Sequence, residues 1–148
     1  MIIGENIVKN MKINIILLTM FISIYSYSFD NKLLDIIETV ESNKNTLAIG
    51  DKGKAYGCLQ IHICIIKDVN RIYKTNYVHK DAFYRDKAFM IAELYLKYWG
   101  KIYKKETGKE SDNEIYCRIW NGGAYGWKKK QTLKYWNKIK SLPKNNTN

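Results

Sequence analysis

Apolar residues recur every three to four positions along most of this chain, in runs separated by short polar or glycine-containing stretches. The spacing predicts a first helix over 30–42, where Leu33, Leu34, Ile36, Ile37 and Val40 share one arc at about 100° per residue. The pattern then shortens. Leu47-Ala48-Ile49 and Ala55-Tyr56 flank the turn-forming run Gly50-Asp51-Lys52-Gly53, which predicts a small β-hairpin. A second helix is expected from about Gln60 to Tyr73, with Ile65, Ile66, Val69, Ile72 and Tyr73 on one stripe. A third begins at the N-cap candidate Asp81, carries Ala88, Ile91, Ala92, Tyr95, Tyr98 and Trp99, and stops at Gly100. It is expected at the centre of the domain. Ser111 or Asp112 caps a short helix bearing Ile115, Tyr116, Ile119 and Trp120, which breaks at Asn121-Gly122-Gly123. A last helix carries Leu133, Trp136 and Ile139 and is closed by Pro143, leaving a polar tail over 144–148. The fold class is mainly α, of α+β type, in one domain over 29–143.

The first 28 residues read differently. Lys9 and Lys12 precede an apolar run from Ile13 to Tyr25 that ends in Ser26-Tyr27-Ser28, the outline of a signal peptide. Met11 is an alternative start. The run is shorter than the roughly 20 residues a membrane span needs, so cleavage is favoured over a stable membrane anchor, and the mature chain is expected outside the cytoplasm, secreted or periplasmic. Residues 1–28 carry Lys9, Lys12 and Glu5, a net of +1, which leaves +10 of the total +11 on the rest. Such a balance calls for an anionic partner or surface without choosing among nucleic acid, lipid and cell-wall polymer. Lysines concentrate at Lys128, Lys129, Lys130, Lys134, Lys138, Lys140 and Lys144. The cysteines, Cys58, Cys64 and Cys117, match no metal-ligand spacing, and His62 and His79 are isolated. No metal or cofactor is implied. The cysteines read as small buried hydrophobes, with at most one bridge.

Glu41 departs from the pattern. It falls inside the apolar arc of the first helix, whereas Glu38 sits at its edge and Asp35 points to the solvent side, so those two are expected to be surface acids. A carboxyl group held against Ile37 and Leu34 loses hydration of its charged form and stays protonated closer to neutrality, which makes a general acid. The alternative is a helix-end residue that snorkels to water or caps a neighbour.

Three short motifs follow in order: Glu41-Ser42 at the end of the first helix; Ala55-Tyr56-Gly57-Cys58-Leu59-Gln60-Ile61 after the hairpin; and the late Trp120-Asn121-Gly122-Gly123. Together they resemble the lysozyme-like superfamily, and within it the group of goose-type lysozymes and lytic transglycosylases (the SLT domain), over about Leu33 to Ile139. The resemblance implies a lysozyme-like fold with the hairpin after the catalytic helix. It also implies Glu41 as catalytic acid, and Ser42, Tyr56, Gly57, Gln60, Trp120, Asn121 and Gly122 as substrate-binding residues. Gly57 would let a sugar approach the backbone. Trp120 stands where the group has a tyrosine whose hydroxyl contacts the catalytic acid; Tyr56 and Tyr116 are candidate substitutes.

The activity so implied is cleavage of the β-1,4 MurNAc-GlcNAc bond of peptidoglycan by a monomeric, secreted or periplasmic enzyme. In a lytic transglycosylase Glu41 would act alone, as acid and then base; in a hydrolytic lysozyme Asp51 would be the second acid. Glycan strands are the expected partner and nucleic acid is not. The alternative of another class is a secreted basic protein that binds and catalyses nothing, using the Lys128–Lys144 segment with Tyr135 and Trp136 interleaved.

Overall fold

The structure, a computed structural model, describes residues 31–142. The expected signal peptide, Asp30, Pro143 and the polar tail lie outside the described residues. Five helices are described: α1 (Asn31–Ser42), α2 (Ile63–Tyr73), α3 (Arg85–Thr107), α4 (Asn113–Gly122) and α5 (Thr132–Lys140). Between α1 and α2 lie the two-residue strands β1 (Ile49–Gly50), β2 (Ala55–Tyr56) and β3 (Ile61–His62), in one antiparallel sheet of order β1-β2-β3. Ile49 faces Tyr56 and Gly50 faces Ala55; Ala55 in turn faces His62 and Tyr56 faces Ile61. The mainly α, α+β class is therefore the one expected. No described helix is long and apolar enough to cross a membrane.

Helix α3 is the axis of the molecule. Its 23 residues span about 34 Å, and its buried side chains Ala88, Ile91, Ala92, Tyr95 and Leu96 meet Leu33, Leu34 and Ile37 of α1, Ile65, Ile66 and Val69 of α2, and Cys117, Ile119 and Trp120 of α4 in one core. The helix neither starts at Asp81 nor stops at Gly100, as the pattern predicts. Asp81 belongs to a 3-10 turn (His79–Phe83), where its carboxylate accepts from the Val78 amide at 2.9 Å and from Lys87 at 2.7 Å. Gly100 lies inside the helix because α4 comes so close that a Cβ there would stand 2.7 Å from the Tyr116 ring. The helix ends at Gly108, with φ of 72°. Helix α2 likewise begins after the expected Gln60, since Ile61 and His62 pair with β2 as a third strand. Asp112 does cap α4, accepting from the Ile115 amide at 2.9 Å.

The second correction concerns the acids of α1. Glu38 is not a surface residue: it is 1% exposed. Arg85, at the start of α3, grips it through two nitrogens, Nε to Oε2 at 3.0 Å and Nη2 to Oε1 at 2.9 Å, and reaches Asp35 at 2.6 Å. A carboxylate at the edge of an apolar stripe becomes tolerable inside when a forked cation closes over both its oxygens. The Cys58 thiol also donates to Glu38; burial and that negative charge push it up to about 11. Cys117 is buried too, whereas Cys64 is exposed, against the expectation for all three.

Replacing Arg85 by Met would strand the Glu38 charge in the core. Because Arg85 is itself half-exposed, the expected loss is about 2–4 kcal/mol in denaturant unfolding. The double variant with Glu38→Gln should recover part of it; a loss below 0.5 kcal/mol for Arg85→Met, on the order of an exposed pair, would refute the account.

Candidate functional site

Helix α1 ends in two left-handed residues, Asn43 (φ 53°) and Lys44 (φ 65°), whose amides return to the Thr39 and Glu38 carbonyls. That reversal sends the chain into the sheet and leaves Glu41, in the last helical turn, facing the hairpin. A cleft of about 270 Å³ opens there, lined by Glu41, Asp51, Ala55, Gln60, His62, Ile65, Trp120 and Asn121. Five of the residues singled out from sequence thus share one cavity: Glu41, Asp51, Gln60, Trp120 and Asn121. His62 and Ile65 join them unforeseen, since each reads as an isolated or core residue until β3 turns the chain.

Glu41 is largely withdrawn from water. Burial raises its pKa above the ordinary 4.5, while the Tyr135 hydroxyl and the Lys138 charge pull it down by less. The helix C-terminus, negative by its own carbonyls, works in the same direction as burial. Tyr135 Oη donates to Glu41 Oε1 at 2.6 Å, and the phenol's own pKa is pushed up by burial and by that carboxylate. So one carboxyl oxygen is occupied and the other is left for the cleft. The hydroxyl partner comes from α5, neither from Tyr56 nor from Tyr116. Tyr56 is spent elsewhere, its ring stacked on His79 at 3.9 Å and on Phe83 at 4.9 Å.

What holds Tyr135 in place is the turn between α4 and α5. Thr132, at the start of α5, is 1% exposed. Its Oγ1 accepts from Arg118 Nε at 3.1 Å and lies 2.9 Å from the Gly126 carbonyl. Arg118 also bonds the Trp127 carbonyl and Glu114. Gly122 serves this packing: a Cβ would stand 2.6 Å from Thr132 Cγ2, and its carbonyl accepts from Lys129 Nζ at 2.6 Å. Ser42 and Gly57 are structural as well. Ser42 Oγ donates to the Cys58 carbonyl at 2.8 Å. Gly57 (φ 76°) is approached by its own chain, because a Cβ there would meet the Ala82 carbonyl at 1.8 Å. Ser42, Tyr56, Gly57 and Gly122 thus make contacts within the fold, and none of them is among the residues that line the cleft.

At the open end of the cleft, Asp51 Oδ2 lies 3.8 Å from His62 Nε2, both side chains well exposed. Among the described residues no group of His, Cys, Asp or Glu is arranged to hold a metal ion. Much of the lysine run is engaged locally: Lys128 pairs with Glu106 at 2.7 Å and lies over the Tyr125 and Trp127 rings, Lys129 holds Gly122, and Lys138 reaches the Val40 carbonyl at 3.4 Å. Of the two interleaved aromatics, Tyr135 is turned inward onto Glu41, while Trp136 lies under Lys140 at 5.5 Å.

No family model and no curated protein matches the sequence. A solved structure does: a chain from the crystal structure of Aeromonas hydrophila PliI in complex with Meretrix lusoria lysozyme is similar, with a TM-score of 0.63 and 25% identity over 76% of this chain and 88% of that one. This finding corrects the expected function. The assignment of a peptidoglycan-cleaving glycosidase, whether a lytic transglycosylase using Glu41 alone or a lysozyme with Asp51 as second acid, is not sustained: the likeness found is to a chain from a structure of PliI bound to a lysozyme. The motifs behind the assignment are accounted for by the hairpin architecture itself, as Ser42 and Gly57 show.

Because the folded chain holds the Glu41 proton more tightly than the unfolded chain, this group's contribution to stability is present below about pH 4.5 and is lost as pH rises to the folded-state value. Tyr135→Phe removes a bond that favours the ionised form. The Glu41 carboxyl, followed by ¹³C NMR, should then titrate at higher pH than in the wild type, with about 1 kcal/mol lost in stability. A downward shift would show that Tyr135 does not govern this proton.

Proposed function

We propose that this chain is a binding protein whose cleft between α1, the sheet and the end of α4 receives an amino-sugar glycan strand of the peptidoglycan class. The observation that carries the reading is the lining itself. Carboxyl, carboxamide and imidazole groups from Glu41, Asp51, His62 and Asn121 converge on one opening with a single indole, Trp120, in its wall. Hydroxyl and acetamido groups of a sugar need that density of donors and acceptors, and an apolar ligand would leave them unpaired. The net charge of +10 beyond residue 28 favours an anionic polymer over a neutral one. The signal-like segment would deliver a monomeric chain outside the cytoplasm, where such polymers lie.

A second reading is recognition of a protein rather than a glycan. It is favoured by the similar structure, in which PliI and a lysozyme are each other's partner. In that case the exposed rim of the hairpin, with Leu47 and Ile49 beside Asp51, would supply the contact.

Calorimetric titration with N-acetylated chito-oligosaccharides and with purified glycan strands decides between them. Saturable binding is expected, weakened about 5- to 10-fold by Asp51→Asn, which exchanges a charged hydrogen-bond acceptor for a neutral one. No binding at millimolar glycan by folded protein would overturn the glycan reading and leave the protein partner. Fragments released into the same samples, seen by mass spectrometry, would overturn a role limited to binding.

A further inference from the structure

Gln60 stands in the cleft wall, yet its amide is already committed. The residue has a left-handed backbone, φ 51°, which only glycine adopts freely. The side chain that goes with it folds back across the hairpin. Nε2 donates to the Gly57 carbonyl at 2.8 Å and lies 3.4 Å from the Ala48 carbonyl. Its Oε1 sits directly over Gly50, where a Cβ would be 2.0 Å away. Both amide protons are thereby assigned to the backbone, so Gln60 has no donor left to offer a ligand.

What the clamp holds is under strain. Asp51 and Lys52 are also left-handed, with φ of 43° and 54°, followed by Gly53 at 87°. Two left-handed non-glycine residues in succession persist only where the surroundings over-determine them. Asp51 follows Gly50 directly, and His62 lies two residues beyond Gln60. The amide therefore spans from the strand entering the turn to the segment that carries His62, the two sides of the 3.8 Å Asp51–His62 mouth.

We propose that Gln60 is a positioning residue: its side-chain amide clamps the chain entering the turn, at Ala48 and Gly50, to the segment 57–62 and so fixes the mouth of the cleft, with Gly50 as the seat of its carbonyl oxygen. The proposal rests on the reading of this cleft as the binding site, but the clamp is testable without a ligand. Gln60→Gly suits the left-handed backbone while removing the amide; Gly50→Ala keeps the amide and puts a methyl group where Oε1 lies. In the free protein each variant should speed hydrogen exchange at the Lys54 and Gly57 amides, which bond Gly50 and Ala48, by about 10-fold or more, with the α3 amides unchanged. Each should also weaken binding of an N-acetylated chito-oligosaccharide about as much as Asp51→Asn does, and in the Asp51→Asn background the further loss should fall below about 2-fold.

Unchanged exchange at the turn in both variants would overturn the clamp. Fully additive losses of affinity would make Gln60 an independent ligand contact and overturn the positioning role. Should the wild-type protein bind no glycan at all, the functional reading fails, while the exchange measurement still decides the clamp.

Discussion

Two carboxyl groups, three residues apart on one helix, are taken out of water here, and the fold is organised around the different ways in which that is made tolerable. Glu38 keeps its place through the fork of Arg85, which ties the first helix to the start of the central one. Glu41 has no such cation over it; it meets a phenol from the last helix and a more distant ammonium. Ion pairing favours charge, while burial favours retention of the proton on Glu41 and outweighs the opposing pull of the hydroxyl. A single turn of helix therefore carries one acid devoted to architecture and one whose proton is available to the cleft.

The remaining architecture places partners around that turn. The reversal after Ser42 brings the hairpin across the helix end, and the strained turn presents Asp51 opposite His62. On the other side, the close approach at Gly122 lets the last helix settle against the fourth, with Thr132 and Arg118 joining the connecting segment to both. The lysines that look like a solvated row from sequence are in good part the fastenings of this corner. The cleft, with its mixture of carboxyl, carboxamide, imidazole and indole groups, is a surface suited to select a polar ligand.

Much of the fold is written in local periodicity. The helices that bury Leu33 to Ile37, Ile65 to Val69 and Ile115 to Trp120 lie where the apolar repeats put them, because a stripe and its cap are local properties. The helix ends that depart from the pattern have non-local causes. Gly100 is a stop signal unless the ring of Tyr116 needs its space, and Ile61 and His62 belong to a helix unless a strand lies beside them. The site was legible in the same partial way. Glu41 announced itself as a polar residue on an apolar face, and Asp51, Gln60, Trp120 and Asn121 were named with it. Its hydroxyl partner is 94 positions away and Arg85 is 47 beyond Glu38. No pattern within either segment points to the other. Function was the least legible part. Short motifs report the architecture they stabilise, and Gly57, pressed on Ala82, would be required whatever the cleft receives.

The long separation between Glu41 and Tyr135 has a consequence for synthesis. Until the final helix has left the ribosome and docked, the acid at the end of the first helix lacks both its phenol and its ammonium neighbour. The chemical character of the cleft is thus completed last, and a nascent or truncated chain would own the outline of the site without the partners that tune its acid.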